Sequence, residues 1–96
     1  MNRREHLLVV LSEECSEITK EVSKALRFGL DDHNPNDPTQ NNAQRITKEV
    51  ADFMGILEML YDESVIDRPI LFDIEEKKKK VEYFLKYAAS KGSLNN

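Results

Sequence analysis

The sequence predicts an all-α protein, a helical bundle of about three helices per chain that is completed by homo-oligomerisation. In three separate segments, apolar residues recur at steps of three and four, which is the period of a helix with one buried face. No segment alternates with a period of two for long, so we expect no sheet. A length of 96 residues fits a single domain over residues 1–96, and so short a chain forms a thin core unless a second copy covers it.

The first helix is predicted over residues 3–28. It ends before Gly29 because glycine accepts the left-handed backbone that follows many helices. Its apolar stripe is Leu8, Leu11, Cys15, Ile18, Val22 and Ala25 or Leu26. Since Cys15 lies within this stripe, we expect it to be a small buried apolar residue.

Residues 29–42 are predicted to form a loop, since they contain two prolines and several asparagines and show no apolar period. At the end of this loop, Asn41 followed by Gln44 predicts a capping box that starts the second helix. This helix runs to about Glu63, with an apolar stripe of Ile46, Val50, Phe53, Leu57 and Leu60 or Tyr61.

The third helix is predicted to begin at Asp73 or a few residues earlier, with Asp73 and Glu76 as a capping pair. Its apolar stripe is Ile74, Val81, Leu85 and Ala88. The helix should end near Gly92, and the tail 92–96 should be frayed.

Composition excludes several classes of function. A net charge of −4 argues against a general nucleic-acid binder. The longest apolar run, LLVVL, is far too short to span a membrane, and the chain start lacks the small-residue cleavage site of a secretory signal. One cysteine excludes an internal disulfide. We therefore expect a cytoplasmic protein with no nucleic-acid and no membrane partner.

Acidic residues border the apolar stripes of the first two helices in the same pattern. They lie at about −40° and −100° from Ile18 on the first helix, and at the same two angles from Phe53 on the second. The four acids are Glu14, Glu17, Glu49 and Asp52. If the two stripes pack together, the carboxylates converge, and like charges so close either take up protons or bind a cation. Oxygen ligands alone suit magnesium, or manganese as a substitute, better than zinc.

The competing interpretation is a solvated helix surface. A single E-x-x-E pair on a charged helix usually has no ligand, and Glu17 could simply pair with Lys20 or Lys24 at helical spacing. Two acidic pairs in the same phase on successive helices favour the metal site.

Two segments carry a family resemblance: LSEECSEITKEVSKALRFG contains E-x-x-E, and RITKEVADFMGILEML contains E-x-x-D. This pattern resembles the signature of the all-α nucleoside triphosphate pyrophosphatases, a superfamily that includes MazG-like proteins, dimeric dUTPases and phosphoribosyl-ATP pyrophosphatase. The resemblance covers about residues 5–62. The gap of 31 residues between Glu17 and Glu49 is long for the signature, and the loop accounts for it.

The thin core of so few helices leads us to expect a homodimer or homotetramer. The resemblance implies an enzyme that acts in nucleotide metabolism. It would hydrolyse a nucleoside triphosphate to the monophosphate and pyrophosphate. The four acids would be ligands of Mg²⁺, and the ion would bind the phosphate chain. Glu17 is a candidate to activate the attacking water, and Glu13 and Glu21 remain open for that role.

Basic residues are candidates to bind the substrate phosphates. Lys24 and Arg45 lie on the same flanks as the acids of their helices. The alternative is an ion pair, of Lys24 with Glu17 or Glu21 and of Arg45 with Glu49. Lys78 lies on the third apolar stripe, where it either snorkels from the edge of the core or contacts phosphate.

Two other functions stay open at this point. One is phosphoribosyl-ATP hydrolysis within the same superfamily. The other is a non-enzymatic helical oligomerisation or interaction module, whose acids are only surface charge. The residues do not identify the preferred base or sugar.

Overall fold

A computed structural model describes residues 1–95, and the chain divides into two compact units, Met1–Ile66 and Asp67–Asn96. Within the described residues, the first unit contains α1, β1, β2 and α2, and the second contains α3. The elements are α1 Arg3–Phe28, β1 His33–Asn34, β2 Asp37–Asn41, α2 Asn42–Asp62 and α3 Leu71–Ser90. The mostly helical architecture confirms the predicted all-α class, and the helix bounds follow the predicted ones closely.

In the first unit, α1 and α2 form an antiparallel pair. The Asn2 side chain caps α1 by accepting a hydrogen bond from the Glu5 amide, and α1 ends at Gly29, whose φ of 104° is a backbone conformation that side chains disfavour. Beside the cap, the Arg3 guanidinium donates two hydrogen bonds of 2.8 and 2.9 Å to the Glu63 carboxylate. This bidentate pair joins the start of α1 to the end of α2.

The predicted capping box at the start of α2 is confirmed. The Gln44 amide donates to Asn41 Oδ1 at 2.8 Å, and the Asn41 amide donates to Gln44 Oε1 at 2.8 Å. Two backbone donors that the helix leaves unpaired are thereby satisfied.

The core of this unit lies where the two helices meet. Leu7, Ile56 and Leu60 form its buried cluster, with Leu11 and Val65 packed against it. Leu60 is fully buried. Leu60 belongs to the predicted apolar stripe of α2, whereas the buried Ile56 does not. The other positions of that stripe are half-buried.

The face of α1 that packs against α2 differs from the predicted apolar stripe by a rotation about the helix axis. Apart from the half-buried Lys24, the buried and half-buried positions of α1 recur at steps of four and three and include two acids: Leu7, Leu11, Glu14, Ile18, Glu21 and Ala25. The prediction that Cys15 is buried is wrong, because Cys15 is exposed. We name the exposed half of the predicted stripe the outer stripe of α1; it consists of Leu8, Cys15, Val22 and Leu26. The packed face brings the acidic flank toward α2.

The expectation of no sheet is wrong within residues 29–42. Strand β1 pairs with β2 in an antiparallel hairpin, with His33 opposite Asn41 and Asn34 opposite Asp37. A tight turn at Pro35 and Asn36 joins the strands. The polar composition hides this hairpin, because Thr39 is the only residue of β1 and β2 from the β-branched and large aromatic types that usually indicate a strand.

The base of the hairpin is anchored to both helices. The Asn42 and Ala43 amides donate to the carbonyls of Asp32 and Leu30 at 2.8 and 3.0 Å. The side chain of Asn42, which is buried, donates to the Gly29 carbonyl at 2.8 Å. These bonds pair the polar backbone where α1 ends and α2 begins.

The second unit contains α3, which begins at Leu71, earlier than Asp73. The predicted cap is wrong, because Ile70 occupies the capping position without a side-chain hydrogen bond. Over its described range, Leu71–Ser90, α3 has no buried residue. After the helix, Ser93 donates to the Ala88 carbonyl from its amide and its hydroxyl. The end of the predicted frayed tail, Asn96, lies outside the described residues.

Among residues 1–95, none of the helices combines the length and apolarity that crossing a membrane requires.

Candidate metal and substrate site

Three carboxylates converge between α1 and α2. Glu14 comes from the middle of α1, and Glu49 and Asp52 come from successive turns of α2. One oxygen from each of these acids lies within 4.8 Å of the others, and all three side chains are half-buried. Glu14 lies within the face of α1 that packs on α2, so it meets Glu49 and Asp52 at the seam between the two helices. The predicted convergence is therefore seen for three of the four acids.

Glu14 is the electrostatic centre of this acidic cluster. Its Oε2 atom is shielded from solvent and has no hydrogen-bond partner among the described residues. Loss of solvation raises the pKa of Glu14, and the nearby charges of Asp52, Glu49 and Glu17 raise it further. A buried carboxylate oxygen without a donor is destabilising when charged. The site therefore lacks positive charge at this atom.

Lys48 supplies part of the missing charge, and the sequence reasoning did not find it. Its Nζ donates to Asp52 Oδ1 at 2.7 Å. This hydrogen bond and the charge of Asp52 raise the pKa of Lys48. The charges of Glu49 and Glu14 raise it further. The spacing of four residues between Lys48 and Asp52 is a signal that could have indicated the pair.

Glu17, the fourth predicted ligand, lies outside the group of three converging acids. Its side chain is exposed, although its charge is near enough to contribute to the raised pKa of Glu14. Its assignments as ligand and as catalytic residue stay predictions.

Lys24 forms the ion pair that was the alternative to phosphate binding. Its Nζ lies 3.4 Å from Glu21 Oε1, and the Glu21 side chain is only 8% exposed. The other carboxylate oxygen, Oε2, is buried without a partner in the described part of the chain. Lys24 itself is partly exposed at 36%, so its charge remains accessible to a ligand.

Arg45 contacts the hairpin and not Glu49, the partner considered from sequence. Its Nη2 donates to Asp37 Oδ2 at 2.9 Å. Hydrogen bonds from the Thr39 hydroxyl and amide lower the pKa of Asp37, and Arg45 lowers it further. Arg45 Nε is buried without a partner among residues 1–95. This contact holds β2 against the first turns of α2.

Lys78 belongs to the second unit, where it pairs with Glu75 at 3.1 Å on α3. Its predicted contact with substrate phosphate stays a prediction.

The chemistry of the acidic cluster fits a magnesium ion. The donors are carboxylate oxygens, which Mg²⁺ prefers, and three such acids leave room for waters or substrate oxygens in an octahedral shell. When ionised, the three acids and Lys48 retain two negative charges, which one divalent cation would neutralise. The unpaired Glu14 Oε2 is the atom that such an ion would satisfy.

Comparisons with protein-family models, with curated proteins and with solved structures found no match to this chain.

Proposed function

We propose that this protein is a magnesium-dependent nucleoside triphosphate pyrophosphohydrolase that converts a ribo- or deoxyribonucleoside triphosphate to the monophosphate and pyrophosphate. The observation that carries the proposal is the convergence of Glu14, Glu49 and Asp52 with a buried, unpaired oxygen on Glu14. A merely solvated helix surface would not bury that atom without a partner. The resemblance of E-x-x-E and E-x-x-D to the all-α pyrophosphatases supports the same activity.

In this proposal, Glu14, Glu49 and Asp52 hold the ion. When bound, Mg²⁺ neutralises charge on the phosphate oxygens, which lowers the barrier to attack by water. The exposed Glu17, one turn beyond Glu14 on α1, accepts a proton from the attacking water. The water oxygen bonds to the α-phosphorus and the bond from that phosphorus to the bridging oxygen breaks, so that pyrophosphate leaves.

Cationic side chains complete the proposed substrate site. Lys24 and Arg45 lie on the acidic flanks of α1 and α2, and each is held by a carboxylate, Glu21 or Asp37. In this proposal each cation keeps its carboxylate partner and offers its remaining N–H donors to a phosphate.

We also propose that the active form is a homodimer or homotetramer. The outer stripe of α1 exposes apolar side chains, with Leu26 at 83% and Leu8 at 42%. The first unit has only a small buried cluster. A second copy laid on this stripe would bury that apolar surface and thicken the core.

The activity is tested with the purified full chain and Mg²⁺ against a set of standard and modified nucleoside triphosphates and phosphoribosyl-ATP, with separate detection of pyrophosphate and orthophosphate. Pyrophosphate should be released. Glu17→Gln keeps the size of the side chain and should lower turnover about a hundredfold or more, as loss of a general base typically does. Glu5→Gln, which lies outside both motifs, is the control and should retain activity. Release of orthophosphate alone, or full activity of Glu17→Gln, would refute this mechanism.

A further inference from the structure

A recess lies where the hairpin connects the end of α1 to the start of α2. Its volume is about 410 Å³, within the range of small-molecule sites. The hairpin forms one wall and the last turns of α1 form another. The lining residues are Lys24, Arg27, Phe28, Asp32, His33, Asn34, Pro35 and Asn42. We call this recess the hairpin pocket.

The hairpin pocket contains a flat stacking surface. The Arg27 guanidinium lies over the Phe28 ring, 4.8 Å from its centroid. Phe28 is 57% exposed, so its ring remains accessible. Planar heteroaromatic rings stack favourably on aromatic side chains and on arginine planes.

Around this surface lie polar side chains that have hydrogen-bond donors or acceptors not used within the described residues. The Asn42 side-chain nitrogen donates to the Gly29 carbonyl, and the Asn34 side-chain oxygen accepts from the Asn36 amide. The Asn42 oxygen and the Asn34 amide nitrogen are thus left for other partners. In residues 1–95, the Asp32 carboxylate and the His33 imidazole have no ion pair or side-chain hydrogen bond. Donors and acceptors of this kind match the edge of a nucleobase.

The hairpin pocket and the acidic cluster are within reach of one ligand. Asn42 precedes Glu49 by seven residues, which is about 10 Å along α2. Lys24, on the pocket wall, also lies on the acidic flank of α1 and forms an ion pair with Glu21. An extended nucleoside triphosphate can span this distance, with its phosphates toward the acids and its base toward the hairpin.

We propose that the hairpin pocket binds the nucleobase of the substrate and thereby selects it. This inference rests on the proposed function for its choice of a nucleotide as ligand. It assigns a role to residues 29–42, the segment that makes the gap between the two acidic motifs long. The hairpin, held to α2 by the Arg45–Asp37 pair, is the specificity element.

The two histidines of the chain provide a direct test. His33 lines the hairpin pocket, whereas His6 precedes Arg27 by 21 residues, which is about 30 Å along α1. Nucleoside monophosphates of each base are titrated into the full chain in EDTA, and the imidazole proton signals are followed by NMR. At least one base should shift the His33 signals saturably and leave those of His6 in place. No saturable shift, or the same shift with inorganic phosphate alone at equal concentration, would overturn the assignment of a base site.

Phe28→Leu tests the stacking surface, and Lys20→Gln is a matched control on an exposed position of the same helix that does not line the pocket. Stacking on an aromatic ring contributes enough that Phe28→Leu should weaken monophosphate binding about fivefold or more. With Mg²⁺ and triphosphate, Phe28→Leu should raise KM by a similar factor and leave kcat nearly unchanged. Lys20→Gln should change neither value. An unchanged dissociation constant in Phe28→Leu would contradict the proposal.

The two proposals fail separately because the NMR titration requires neither metal nor turnover. Release of pyrophosphate without a His33 shift would overturn the base site and leave the proposed hydrolysis intact. A saturable His33 shift without release of pyrophosphate would support the pocket and overturn the hydrolysis.

Discussion

Glu14→Gln is the sharpest perturbation of the acidic cluster, because it removes the charge whose pKa is raised by desolvation and by the neighbouring acids while keeping the shape of the side chain. Glu13→Gln is a matched control, since Glu13 is the adjacent residue, is exposed and lies outside the cluster. If the cluster binds Mg²⁺, the ion stabilises the folded wild type. At ten times its dissociation constant it adds about 1.4 kcal/mol to the free energy of unfolding. For a domain of this size, that gain raises Tm by about 6 to 11 °C.

The structure predicts opposite responses of Glu14→Gln with and without the ion. In EDTA at neutral pH, the variant should be at least as stable as the wild type, because the repulsion from Glu49 and Asp52 is reduced. In Mg²⁺, the variant should lose most of the rise in Tm because a ligand is missing. Thermal denaturation followed by circular dichroism, with and without Mg²⁺, measures both effects. An equal Mg²⁺-dependent rise in Tm for Glu14→Gln and Glu13→Gln would refute the reasoning.

The pH dependence of stability is an independent test of the environment of Glu14. Desolvation and the charges of Asp52, Glu49 and Glu17 raise the pKa of Glu14 above its ordinary value of 4.5. The folded state therefore holds a proton that the unfolded state releases first. This contribution to stability is complete below pH 4.5 and is lost as pH rises through the raised pKa. In EDTA, the stability of the wild type relative to Glu14→Gln should fall from about pH 4.5 toward neutrality.

Two further predictions concern the neighbouring charge and the assembly. Because an ion at the cluster must compete with Lys48 for Asp52, we expect Lys48→Gln to tighten Mg²⁺ binding at least about threefold in a calorimetric titration; weaker binding would mean that Lys48 supports the site. The wild type should form a dimer or tetramer by light scattering at micromolar concentration, and Leu26→Asp should shift it toward the monomer with helix content retained. A monomeric wild type would contradict the proposed assembly.

Much of the first unit follows from local patterns in the sequence. The apolar periods place both helices to within a residue or two, and the Asn41–Gln44 capping box marks the start of α2. The convergence of Glu14, Glu49 and Asp52 was also predictable, because a regular helix converts sequence spacing into angle and the two acidic pairs share one angle. The helices and the cap depend on interactions within a few residues of one another, whereas the convergence also requires that α1 and α2 pack together.

The facing side of α1 was decided by tertiary packing. Two stripes with the same helical spacing exist on this helix, one starting at Leu7 and one at Leu8. The two stripes share Leu11, Ile18 and Ala25. Where they differ, the stripe with Glu14 and Glu21 meets α2, and the wholly apolar one stays exposed. The period of the apolar residues shows that a helix has one face to bury. Which face is buried depends on the residues that each face would contact in the folded chain.

The partners of the cations were likewise set by tertiary structure. Arg45 pairs with Asp37 because the hairpin folds back over the start of α2, and this hairpin has almost none of the residues that favour strands. Hydrogen bonds from Asn42 and Ala43 to the end of α1 close it. By itself, the sequence determined the helices and the seam at which their acids meet. Packing between the helices and the closure of the loop decided which residues are buried and which charges pair, because both depend on contacts between segments that are distant in the chain.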